Sequence, residues 1–454
     1  MIKRTNEIKQ LLKLYEEGHN RIAFVYGAPQ SEKEELIRQF LPGKKYFYYC
    51  ARNASVEEQL AWLSGEVEKQ YQIKLQKHSY DECFTRIKSG DSSKLVVVID
   101  EFDRIAKKDP SFFQSIVALK NRKLYPGPVF IILLSSSLTW SRRDMEKTLG
   151  EDLNAVDTTI FLEELSFLDI VRTFPNYSVK ESVQLYGIIG GVPAYLNRWD
   201  ESKPVKENVC NLILSQRGAL HTEAEDYVAS ELRELSVYDT ILSAMAQGNE
   251  KLNDLYRRTG YSRAKISVYL KNLASFDIVA KVNSFETGGW DNAKKGVYRI
   301  SHHLVDFWFT FVYPHLSESV TMAPEAFYDT YITPGLDVYL RPYFVGVCRE
   351  YLSLMNMVGK VPIKIERMGT WVGKEGTIDI IGQDHVRENV VGICNWADEE
   401  LSFARYTKLI EDMKSARIHA KTIYLFSARS FDIKLKALEH QSKSAVTLVD
   451  MNEL

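Results

Sequence analysis

A chain of 454 residues is too long for one hydrophobic core, so two to four domains are expected. Its 45% hydrophobic and 26% charged residues are ordinary for a soluble globular protein. With 58 Lys plus Arg against 60 Asp plus Glu, a net charge of −2 gives no global pull toward nucleic acid or membrane, and any such binding needs a local patch. The opening MIKRTNEIKQLLKLYEEG is charged and amphipathic, without the apolar core of a signal peptide. Arg21–Tyr26, Lys45–Cys50, Lys94–Ile99 and Pro128–Leu134 then read as buried strands, with helical patterns such as Glu32–Leu41 and Val56–Tyr71 between them. That alternation predicts a parallel α/β sheet covered on both faces. From about Leu165 the pattern becomes helical, broken at Gly190-Gly191-Val192-Pro193. Residues 223–301 read as helix, helix, helix, hairpin, and after an aromatic stretch strands return from about Ile363. The five cysteines are far apart with no C-x-x-C pair, which predicts free thiols, no zinc site and a reducing compartment. No apolar run is long enough to span a bilayer, so a cytoplasmic protein without a membrane partner is expected.

The strand Ile22–Tyr26 leads into Gly27-Ala28-Pro29-Gln30-Ser31-Glu32-Lys33-Glu34 and then a helix. A phosphate-binding loop reads G-x-x-x-x-G-K-[ST] in this setting. Gly27 and Lys33 keep their places, whereas Glu32 replaces the second glycine and Glu34 the magnesium-binding hydroxyl. Glycine lets the backbone approach phosphates and the helix N-terminus attracts them. A carboxylate there would intrude, repel a triphosphate and satisfy the helix dipole itself. Leu95–Ile99 runs into Asp100-Glu101-Phe102, an apolar strand ending in two acids. In a phosphate-loop enzyme the first acid holds magnesium through water and the second activates the attacking water.

With these motifs the chain resembles the prokaryotic ATPases of the STAND class that carry a winged helix and a C-terminal restriction-endonuclease-like, PD-(D/E)XK domain. The resemblance also rests on Arg4 and Glu7 of an opening R-x-x-E element, on Ser135-Ser136-Ser137, and on Gly190-Gly191-Val192-Pro193-Ala194-Tyr195-Leu196. It implies a phosphate-loop domain over 1–164, a helical lid over 165–222, a winged helix over 223–301, a helical connector over 302–335 and a nuclease-like α/β domain over 336–454. It implies ATP and magnesium as cofactors, with Arg4, Gly27, Lys33, Gly190, Gly191 and Pro193 at the nucleotide and Asp100 and Glu101 in catalysis. The Gly-Gly-Val-Pro run reads equally as a plain helix break and hinge.

Leu252–Arg258, Gly260-Tyr261-Ser262 and Arg263–Ala274 read as helix–turn–helix, with Ser262 as N-cap and Ile266, Leu270 and Leu273 facing inward. The outward residues Arg257, Arg258, Arg263, Lys265 and Lys271, with Lys294 and Lys295 at the tip of a wing between Ile278–Val282 and Val297–Ile300, suit phosphate contacts on DNA. A solvated face on a structural joint is the alternative. Farther on, Phe344–Leu352 resembles the first helix of the nuclease-like family with Glu350 at its acidic position, and Gly369-Thr370-Trp371 its Gly-x-Trp element. Thr377-Ile378-Asp379-Ile380 stands where the family reads Glu-x-Asp, and Gly392-Ile393-Cys394-Asn395-Trp396 where active relatives read Gly-Glu-Cys-Lys-Trp. Asp379 and Glu350 are weak metal candidates or ordinary exposed carboxylates, while Ile393 and Asn395 replace a ligand and a catalytic lysine. The expectation is a regulatory or scaffolding protein that hydrolyses neither ATP nor DNA and contacts a protein partner or, weakly, DNA. The alternative is a nucleotide switch with an atypical loop.

Overall fold

The computed structural model describes residues 4–88, 90, 93–121, 128–230, 232–285, 296–373, 376–442 and 445–454. These form two compact units, Met1–Glu164 and Leu165–Leu454. The expected wing-tip residues Lys294 and Lys295 lie outside the described residues.

In the first unit the strands β1 (Arg21–Gly27), β2 (Lys45–Cys50), β3 (Leu95–Asp100), β4 (Val129–Ser135) and β5 (Thr158–Leu162) form one sheet in the order β2-β3-β4-β1-β5. All four pairings are parallel. Burial explains the unbroken apolar runs. Ile22, Phe24, Val97, Ile99, Ile131 and Leu133 face a core shared with Leu63, Phe84 and Phe112 from helices Val56–Tyr71, Tyr80–Arg86 and Ser111–Asn121. The alternate residues Ala23, Val25, Val96, Val98, Phe130 and Ile132 face Leu11, Leu36, Ile37 and Phe40 from helices Thr5–Glu16 and Lys33–Phe40. A strand buried on both sides cannot alternate with polar residues. The fifth strand is absent from the sequence reading: at the sheet edge, only Ile160 and Leu162 of TTIFL are buried, so it lacks the dense apolar run of its neighbours.

The second unit begins with helices Phe167–Thr173, Val179–Ile189 and Pro193–Leu196. Four helices, one more than the pattern announces, precede the hairpin: Glu223–Ala229, Leu235–Ala246, Leu252–Thr259 and Arg263–Ser275. Antiparallel β6 (Val279–Val282) and β7 (Val297–Ile300) follow. Ile266, Leu270 and Leu273 are buried, and the Ser262 hydroxyl caps its helix by accepting from Lys265 N–H. Helix Thr333–Met357 leads into β8 (Arg367–Val372), β9 (Thr377–Gln383), β10 (Asn389–Asn395), β11 (Glu400–Leu401), β12 (Ala420–Ser427), β13 (Ser430–Phe431) and β14 (Val446–Asp450). Five of these make a mixed sheet, β14-β12-β10-β9-β8, parallel on the β10–β12–β14 side and antiparallel on the other. All five cysteines are free. Among the described residues no helix is long and apolar enough to cross a membrane.

Candidate functional site

In a parallel sheet the loops at the carboxyl ends of the strands are where ligand groups gather, and in the first unit β1 and β3 end there in the loop and the acid pair. Gly27 closes β1 where nothing larger fits: a Cβ would lie 2.6 Å from Ser31 Oγ and 3.0 Å from Leu162 Cβ. Arg4 ties the loop from behind, donating to Glu163 O at 2.7 Å and Ser31 O at 3.3 Å and pairing with Glu7 at 3.4 Å. Glu32 takes φ 59° and ψ 45°, the left-handed conformation that suits the glycine it replaces. Lys33 is only 2% exposed, and its ammonium donates inward to Gly27 O (3.3 Å), Ala28 O (3.1 Å) and Ser31 Oγ (3.2 Å). Burial pushes its pKa below the ordinary lysine value, against the pull of Glu34, Glu101 and Asp100.

Asp100, at the end of β3, is buried, accepts from Tyr48 Oη at 2.6 Å and receives the Glu101 N–H at 2.9 Å. Burial raises its pKa, the Tyr48 and Glu101 hydrogen bonds oppose the rise, and Glu34 adds to it. Glu101 itself has φ 52°, accepts from Ser136 Oγ at 2.7 Å and lies 3.5 Å from Arg104; burial raises its pKa too. Glu34, Asp100 and Glu101 each offer a carboxylate oxygen within 4.8 Å of the others, a spacing that suits one divalent cation. The sequence singled out Asp100, Glu101 and the Ser135-Ser136-Ser137 run, but not Tyr48. The signal was present in principle, since parallel pairing of β2 with β3 brings the carboxyl end of a tyrosine-rich strand beside Asp100.

The other predicted residues are distributed through the second unit. Gly190 ends helix Val179–Ile189 with φ 67° and ψ −161°, Pro193 starts the next helix, and Gly191 lies against Leu165, whose N–H donates to Gly191 O at 2.8 Å. Arg257, Arg258, Arg263, Lys265 and Lys271 are all exposed. Three have partners: Arg258 donates to Gln247, Arg263 donates to Asn253 at 2.8 Å and stacks on Tyr256, and Lys265 sits over Tyr261. Glu350 and Asp379 each have hydrogen-bond partners on the backbone. Both Glu350 oxygens cap helix Phe167–Thr173, accepting from Phe167 N–H at 2.9 Å and Leu168 N–H at 2.8 Å. Asp379 accepts from Cys394 N–H at 2.9 Å, and its pKa is raised by burial against the pull of that bond, Arg405 and Arg349. Among the described residues the group of three with metal-ligand spacing is the carboxylate trio Glu34, Asp100 and Glu101. Ile393 packs into the sheet core, while buried Asn395 donates to Ser427 Oγ and Asp398 O and accepts from Arg405 at 3.0 Å. Arg405, unremarked in the sequence, thus brings a guanidinium against the Asn395 side chain.

Residues 1–198 match the family described as an ATPase domain predominantly from Archaea. Residues 308–409 match a family described as archaeal and bacterial proteins of unknown function. Residues 1–198 thus carry the archaeal-type ATPase domain. An uncharacterized protein of Methanocaldococcus jannaschii is 24% identical over 404 residues, 87% of this chain and 88% of its own. Among solved structures, the Walker-type ATPase of Pyrococcus abyssi is similar over 68% of this chain and 96% of its own, with 15% identity and a TM-score of 0.46. The ORC2 protein of Aeropyrum pernix, in ADPNP–ADP complexes, is similar over 72% and 95%, with 11% identity and a TM-score of 0.44. A STAND protein with a tetratricopeptide repeat sensor from Pyrococcus horikoshii is similar over 78% and 50%, with 13% identity and a TM-score of 0.28. The archaeal-type ATPase match takes in Arg4, the loop, the acid pair and the Gly-Gly-Val-Pro run, and the second match takes in Glu350, Asp379 and Arg405. The ATPase-domain match over residues 1–198 implies nucleotide and magnesium use among the members of that family.

Proposed function

We propose that this archaeal-type ATPase-family chain is a regulatory or scaffolding protein that does not turn over ATP–magnesium and acts through contacts with a protein partner or DNA. The observation that carries the reading is the state of Lys33. Its three N–H donors have three acceptors inside the loop, Gly27 O, Ala28 O and Ser31 Oγ, so the cation that should meet the phosphates is bound to the protein itself. Around it, Glu32 and Glu34 bring two carboxylates to the helix N-terminus, where an incoming triphosphate would add its own negative charge. These residues do not fit a triphosphate. The trio Glu34, Asp100 and Glu101 suits a divalent cation, but no hydrolytic step follows from a cation alone.

The C-terminal sheet supports the same reading. Ile393 offers no metal ligand, Asn395 is held in a hydrogen-bond network, and both Glu350 oxygens accept from a helix N-terminus, a poor arrangement for metal-dependent cleavage. A nucleotide switch is the second reading, favoured by the retained Asp100 and Glu101 and by the left-handed backbone at Glu32. The discriminating experiment restores the motif: Glu32→Gly with Glu34→Thr should create ATP–magnesium binding that the parent chain lacks. Equal binding by parent and double variant would favour the switch. Plasmid DNA kept with the parent chain in magnesium or manganese should remain uncut, and cleavage abolished by Asp379→Ala would refute that part.

A further inference from the structure

Within Leu165–Leu454 a cavity of about 1060 Å³ opens between helices Val179–Ile189, His303–Phe307, Thr333–Met357 and Phe403–Ala416, strand β7 and the end of β10. One wall is aromatic. Tyr186, His303, Tyr343 and Tyr339 follow one another there with ring centroids 4.7, 4.5 and 5.1 Å apart. Gly187 lets the helices behind this wall meet, since a Cβ there would lie 2.3 Å from Leu340 Cδ2, and the Tyr339 hydroxyl fixes the contact by donating to Gly187 O at 2.9 Å. A preformed concave site with aromatic walls and a few fixed polar groups is the usual form of a small-ligand site.

The charges say which ligand. At the end formed by β10 and helix Phe403–Ala416 they cancel: Arg341 and Arg405 pair with Asp398 at 3.3 and 3.0 Å, and Asp379 lies within electrostatic reach of Arg405. Arg405 also spends its donors on Asn395 and Cys394 O. Beside the aromatic wall the count is different. Glu250 and Asp306 share the reach of one guanidinium, Arg299, and Glu250 holds it at 2.9 Å. Among the described residues Asp306 has no ion-pair partner, and it accepts a hydrogen bond from the neutral Tyr343 hydroxyl. The neighbouring His303 supplies no charge, because burial pushes its pKa down to about 4. Burial lifts the Asp306 pKa to about 6, so the carboxylate is ionised at neutral pH and is poorly solvated. A carboxylate in that position gains from a cation, and tyrosine rings attract the same cation by their faces.

We propose that this cavity binds an organic amine cation, with its ammonium on the Asp306 carboxylate and its hydrocarbon against the wall of Tyr186, His303, Tyr343 and Tyr339. The site lies wholly within the second unit and requires neither Lys33 nor magnesium, so it stands apart from the reading of the phosphate loop.

The test is calorimetry on the full chain at neutral pH, without nucleotide or magnesium. The titrants are tyramine, benzylamine and hexylamine, each beside its uncharged alcohol counterpart: tyrosol, benzyl alcohol and hexanol. At least one amine should bind, and about tenfold or more tighter than its alcohol, the gain expected where a hydrogen bond involves charged groups. Asp306→Asn keeps an oxygen to accept from Tyr343 and should remove that preference. Glu250→Gln, at a partly exposed position, leaves Arg299 to pair with Asp306 and should weaken the same amine. Binding of no amine, an alcohol bound as tightly as its amine, or a preference that survives in Asp306→Asn would each overturn the proposal. Were Asp306→Asn not to fold, amine affinity unchanged in Glu250→Gln would overturn it instead.

Discussion

Glu32 holds a left-handed backbone conformation, φ 59°, that costs a residue with a Cβ about 1–2 kcal/mol. Glycine accepts this conformation freely but loses more chain entropy on folding. Glu32→Gly should therefore raise the unfolding free energy by about 0.5–1 kcal/mol, read as a higher denaturant midpoint at unchanged slope. A fall in stability would mean that contacts of the Glu32 side chain outweigh the strain. His302 and His303 give a second residue-scale prediction. Burial pushes their pKa values down to about 3 and about 4. Unfolded, both titrate near 6.5, so below that pH the unfolded chain takes up protons that the folded chain refuses. Stability is unaffected by these groups above pH 6.5 and is lost as the pH falls toward 4. His302 Nδ1 accepts the Val305 N–H as a helix cap, a role asparagine also fills. His302→Asn should thus keep the cap and flatten the fall in melting temperature between pH 6.5 and 4. An unchanged acid slope would contradict the burial account.

At the scale of elements, the Gly-Gly-Val-Pro break shows what a motif encodes apart from any ligand. Gly190 occupies a φ, ψ region almost reserved for glycine, and a Cβ on Gly191 would lie 2.0 Å from Leu165 O and 2.7 Å from Leu165 N. Backbone cannot move aside as a side-chain tip can. Gly191→Ala should cost about 3 kcal/mol or more, the range of severe overpacking, seen as a large drop in melting temperature or failure to fold. A loss under about 1 kcal/mol would show that this junction is loosely packed. Strands β1, β3 and β4 of the first sheet were legible because burial on both faces forces continuous Val, Ile and Phe runs, and helix Arg263–Ser275 because its apolar residues recur on one face above a Ser cap. Strand β5 was not, since its apolar run, Ile160–Leu162, is only three residues long after two threonines. Glu350 marks a different limit: its position in the sequence resembled a metal ligand, whereas its carboxylate closes the N-terminus of a helix 182 residues earlier in the chain.

For the molecule as a whole, a net charge of −2 means that any DNA affinity must arise from a local patch, and the exposed Arg257, Arg258, Arg263, Lys265 and Lys271 are the patch proposed for it. Affinity should be weak, tolerant of sequence and steeply reduced by salt, because phosphate contacts release counterions. Charge reversal at Arg263 and Lys271 should abolish it, and binding unchanged in that variant would locate it elsewhere. The sequence showed which residues of the phosphate loop had changed, but not where Lys33 points or that Glu34 joins Asp100 and Glu101. Those depend on side-chain direction and on strands β1 and β3, which are distant in sequence and come together only across β4. The account turns on that loop. Titration calorimetry of the full chain with ATP and magnesium should show no measurable binding at micromolar concentrations; micromolar affinity that disappears in Lys33→Ala would contradict it.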